Sequence, residues 1–107
     1  MIRVTYHRQY NRVTVEGHAG SGPEGHDLVC SAVSALALTL AGNVSYMAAQ
    51  EAVYEPITKL VEGNAEIQCT PYRQYKDSVA QIYRAICFGF ELLATKYPEN
   101  ISYDVLG

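Results

Sequence analysis

Residues 53–70, VYEPITKLVEGNAEIQCT, form two strand-like arms around Glu62, Gly63 and Asn64. In the second arm Ala65, Ile67 and Cys69 alternate with Glu66, Gln68 and Thr70, the period of two that marks a strand with one buried face. Two such arms joined by a short glycine-containing turn read as an antiparallel hairpin. Pro56 cannot donate to a ladder, so the first arm is an edge strand or is irregular near its start. Working outward, the same alternation opens the chain, with Ile2, Val4 and Tyr6 against Arg3, Thr5 and His7. It resumes at Val13 and Val15 after Gln9, Tyr10 and Asn11, which makes a second hairpin. Between the hairpins Leu28, Val29, Ala32, Val33, Ala35, Leu36 and Leu40 describe a mostly buried helix, capped at its start by Asp27 and reaching to near Ala49. Val79, Ile82, Tyr83, Ile86, Phe90 and Leu93 follow helical spacing, and Pro98 ends that helix. Ile101, Tyr103 and Val105 supply a closing strand. The order ββαββαβ predicts an α+β two-layer sandwich, a mostly antiparallel sheet with two helices packed on one face.

The chain of 107 residues has room for one core, so residues 1–107 are read as a single domain. Hydrophobic residues make up 49% and charged residues 18%, a globular composition that excludes disorder as the main state. The net charge is -3 with scattered basic residues, which argues against direct nucleic-acid binding and favours a basic polypeptide partner. No uninterrupted apolar run of membrane-spanning length is visible and the first residues read as a strand, so a cytoplasmic protein without membrane attachment is expected. The cysteines, Cys30, Cys69 and Cys87, are odd in number and form no CxxC pair, so each needs its own explanation.

The chemistry concentrates in residues 17–34, GHAGSGPEGHDLVCSAVS. Ala19, Gly20, Ser21, Gly22, Pro23, Glu24 and Gly25 read as an open loop running into the helix that carries Cys30. With Asp27 as cap, the Cys30 sulfur falls in the first turn, where unpaired N–H groups create positive potential. A free thiol has a pKa of about 8.5 and attacks only as thiolate. A helix terminus contributes about 0.3–1 kcal/mol, too little alone to ionise it, so a base or cation is required. His18, at the end of the second strand, is the natural one: it can take the thiol proton and return it to a leaving amine. Its parity places it with Thr14 and Glu16 rather than Val13 and Val15, so it reaches Cys30 only if the strand twists or ends at Gly17. His26 offers a second imidazole. Asp27 either caps the helix or orients an imidazole, and Ser34, one turn beyond Cys30, either bonds the sulfur or a carbonyl of the preceding turn. Cys69 and Cys87 sit on or beside apolar faces and read as packing residues. A zinc site of His18, His26 and Cys30 fits no standard spacing, and no lysine lies between Arg12 and Lys59 to serve a phosphate loop. Neither metal nor cofactor is expected.

The combination of Gly17-His18-Ala19, a glycine loop, Asp27-x-Val29-Cys30 and a small-residue helix resembles the ribosomal-processing cysteine proteases, the Prp family. The resemblance implies Cys30 as nucleophile, His18 as base, and a homodimer. It also implies a substrate, the precursor of large-subunit ribosomal protein twenty-seven, whose amino-terminal extension is removed after paired aromatic residues. On this reading the 19–25 loop folds over an extended peptide, tyrosine-lined pockets take its aromatic side chains, and N–H groups at the helix start hold the oxyanion. His26 and Ser31 depart from the residues common in that family. The alternative is a non-catalytic module that docks on a ribosomal or other basic protein, with residues 17–26 as a binding loop and Cys30 as core.

Overall fold

The computed structural model describes residues 1–18 and 26–107, with the backbone alone at positions 26 and 27. Strands β1 (Ile2–His7) and β2 (Arg12–Glu16) form the first hairpin, turned by a 3-10 segment and by Asn11 at φ 49°. Helix α1 (His26–Ala49) leads to the second hairpin, β3 (Val53–Val61) and β4 (Asn64–Pro71). Helix α2 (Lys76–Lys96) and strand β5 (Ile101–Leu106) complete the chain. The sheet order is β3-β4-β2-β1-β5, with β5 parallel to β1 and the other neighbours antiparallel. The fold is therefore the expected α+β arrangement, with one parallel pairing in a mostly antiparallel sheet.

The period-two pattern decides which face is buried. Ile2, Val4, Tyr6, Val13, Val15, Ala65, Ile67 and Cys69 all point into the core, while Arg12 and Glu66 pair at 3.0 Å on the open face. Helix α1 meets this layer with Val29, Val33, Ala37, Leu40, Val44 and Met47. Helix α2 meets it with Val79, Tyr83, Cys87 and Phe90, so Cys87 belongs to the core stripe itself. Strand β3 is an edge strand, as Pro56 requires, and its pairing slips between Tyr54 and Ile57, where Glu55 takes φ 52°.

Three expectations need correction. Helix α1 starts at His26, so Asp27 lies inside the first turn rather than at the cap, and Cys30 is the fifth helical residue. Residues Leu28–Ala49 carry no charge and, with a mean hydropathy of 1.7, are long and apolar enough to cross a membrane by length and composition. One face of that helix is core, which accounts for the buried third of the apolar window, while Leu28, Leu38 and Tyr46 on the rest of the helix are exposed. In β5, Val105 is 48% exposed: burial fades along this edge strand after Ile101.

Candidate active site

The site is assembled where the end of β2, the start of α1 and the β3–β4 turn meet. Strand β2 stops at Glu16, and Gly17 takes φ 91°, a conformation that breaks the strand's alternation. A Cβ at Gly17 would stand 2.5 Å from the Met1 carbonyl oxygen, so the backbone just ahead of β1 also demands glycine there. The Gly17 N–H donates to the Gly63 carbonyl at 2.9 Å, tying the strand end to the turn of the other hairpin. Gly63 itself has φ 76°, and the His18 imidazole lies against it: a Cβ at residue 63 would be 2.9 Å from Nε2 and 3.1 Å from Cε1. The parity problem is thus resolved at Gly17, where the strand ends and the chain turns.

His18, Cys30 and Ser34 line one cleft of about 420 Å³. Cys30 is partly buried against the core, and its side chain, like all those on a helix, leans toward the helix N-terminus. Ser34 lies one turn on without a hydrogen bond to the sulfur. The walls are aliphatic, from Val33, Ala37, Leu38, Leu60 and Val61, with no tyrosine among the described lining residues. Leu38 and Leu60 are exposed at 63% and 44% and form an apolar lip.

The side chains of His26 and Asp27 and the whole 19–25 loop lie outside the described residues. Among the described residues no cluster of three or more His, Cys, Asp or Glu could hold a metal ion. Cys69 and Cys87 are buried; Cys69 Sγ is 3.6 Å from the Tyr83 hydroxyl. Burial raises both thiols, that of Cys87 to about 11, against hydrogen bonds with Tyr83 and Tyr103 that act the other way. Neither is poised as a nucleophile.

The sequence reading did not assign Gly63, Leu38, Leu60 or Val61 to the site. Glu62-Gly63-Asn64 was legible as a turn, but only the sheet order brings that turn beside His18.

A thiol near a helix start and an imidazole on the same cleft are the equipment of thiol-dependent acyl transfer. Residues 1–102 match the family described as cysteine protease Prp, and the chain belongs to that family. It is a cysteine protease, and the docking-module alternative is set aside on that ground. Among solved structures, SMU.848 from Streptococcus mutans is 27% identical with a TM-score of 0.69, the alignment covering 99% of this chain and 94% of that one. The essential ribosomal processing protease Prp from S. aureus shares the fold in two structures. Its complex with a covalently linked product peptide is 23% identical with a TM-score of 0.65. Its complex with a substrate peptide is 22% identical with a TM-score of 0.67. Each of these two alignments covers 97% of this chain and 96% of the other. Comparison with curated protein sequences finds no significant match.

Proposed function

We propose that this protein is an endopeptidase in which Cys30 attacks the scissile carbonyl and His18 serves as its base. The observation that carries the reading is that both residues line one cleft in a chain of the Prp family. In this reaction the imidazole takes the thiol proton, the thiolate adds to the carbonyl, and the imidazolium returns the proton to the departing amine. The resulting thioester is hydrolysed by water activated by the same imidazole. The free N–H groups at the start of α1 are the oxyanion donors in this scheme.

The substrate is the precursor of large-subunit ribosomal protein twenty-seven, cut behind its amino-terminal extension. The peptide complexes of the S. aureus ribosomal processing protease, which has this fold, support that reading. So does the aliphatic cleft, which suits bulky apolar side chains. The enzyme works in the cytoplasm as a homodimer without binding nucleic acid directly. The uncharged outer face of α1, with Leu28 and Tyr46 each more than half exposed, supports self-association.

Incubating the protein and its Cys30→Ser variant with a peptide spanning such an extension, and weighing the products by mass spectrometry, tests the reading. Cleavage at one bond, absent in the variant, is the expected result. An intact peptide, or cleavage that survives in Cys30→Ser, overturns it. Sedimentation at micromolar concentration tests the dimer, and a monomer there removes that part.

A further inference from the structure

A second cavity of about 630 Å³ lies between α2 and the β1–β5 side of the sheet and shares no lining residue with the cleft. Strand β1 contributes to both from its buried face, with Ile2 lining the first near one end and Tyr6 the second near the other. Tyr6 is 3% exposed, and its hydroxyl has no hydrogen-bond partner. A buried hydroxyl left unpaired is costly, and native interiors rarely leave one so. Arg8 and Arg84 line the same cavity, and among the described residues neither is in an ion pair, the ion pair there being Arg12 with Glu66.

Burial, and then Cys87, raises the Tyr6 hydroxyl, while Arg8 and Arg84, which line the same cavity, both act to lower it. Glu91 is the carboxylate among the lining residues, one anion against two cations. Phe88, 58% exposed, adds an apolar wall.

We propose that this cavity binds a small molecule carrying a carboxylate or phosphate on an apolar, ring-sized body. Arg8 and Arg84 hold the oxyanion and Phe88 packs on the body, while the Tyr6 hydroxyl, buried at the cavity's inner edge in the free protein, donates to the oxyanion once the ring shifts toward it. Guanidinium forks match the geometry of either anion. The volume is that of a small-molecule site and exceeds what a bare ion would fill.

The test is a nuclear magnetic resonance titration of the whole protein with phenylphosphate, phenylacetate and the neutral benzyl alcohol, following the Arg8 and Arg84 Nε–H and Tyr6 ring signals. The two anions are expected to move these signals saturably, and the tighter one identifies the preferred oxyanion. Arg8→Ala combined with Arg84→Ala should weaken binding about tenfold or more. Tyr6→Phe, which removes only the oxygen, should weaken it severalfold while the protein stays folded. The proposal is overturned if neither anion gives a saturable shift by about 10 mM, if benzyl alcohol binds as tightly, or if the double variant binds unchanged.

Discussion

The His18 imidazole rests on Gly63, 45 residues away in sequence, at a distance that leaves no room for a side chain there. The Gly17 to Gly63 hydrogen bond holds the two segments together on the same spot. A hairpin turn thereby sets where the proposed base can stand.

Gly63→Ala is expected to lower kcat by about ten- to a hundredfold, because a displacement of the imidazole of about 1 Å is enough for such a loss. Alanine also pays about 1–2 kcal/mol for the left-handed backbone. Gly63→Asn, which tolerates that backbone better, separates the effects: it should keep more stability and lose as much activity. Wild-type kcat in both variants would dismiss the positioning role.

Alkylation of the native protein by iodoacetamide at pH 7–8 is expected at Cys30 alone. Cys69 and Cys87 are 1% exposed, and a thiol at about 11 is about 0.1% thiolate at pH 8. Peptide mapping checks this, with all three thiols reacting once the chain is unfolded. Comparable native-state labelling of Cys87 would contradict the packing described above.

Stability should fall as pH rises above about 9. Burial raises Cys69, Cys87, Tyr83 and Tyr103 in the folded state, so the folded chain retains protons that the unfolded chain releases. The stability these neutral groups contribute is fully present below their ordinary values and is lost as pH climbs toward the raised ones. For Cys87 that window runs from 9.0 to about 11. Each group in its window steepens the loss by up to about 1.4 kcal/mol per pH unit. Urea denaturation from pH 8 to 11 measures the slope, which should lessen in Cys87→Ala despite that variant's lower stability at neutral pH.

Leu38→Lys is expected to raise KM for an aromatic-containing peptide severalfold with little change in melting temperature. Leu38 is 63% exposed, so the change costs the core nothing, but it puts a charge on the lip of the cleft. An unchanged KM would place the peptide elsewhere.

Local pattern carried the fold because each element states its own period. Alternation in β1, β2 and β4 and the stripe of α2 specify which residues are buried without reference to partners. Pro56 likewise announced an edge strand, since a residue without an N–H can sit only where a ladder bond is absent or broken. The start of α1 was misplaced by two residues, at Leu28 rather than His26, because capping preference at Asp27 is a weak local term, and helix ends are the least determined part of any helix.

That Cys30 and His18 are candidates was legible because a thiol at a helix start and an imidazole at a strand end are local features of one continuous segment, and the fold places both on one cleft. The rest of the cleft was not, because Leu38, Leu60 and Gly63 are unremarkable in their own segments. Sequence alone thus determined the elements, their buried faces and the chemical groups available. Tertiary structure decided their company: β4 pairs with β2 rather than extending the sheet elsewhere, and this carries the β3–β4 turn to His18. The physical reason is that periodicity is written residue by residue, whereas strand order is a choice among long-range pairings that no local preference encodes.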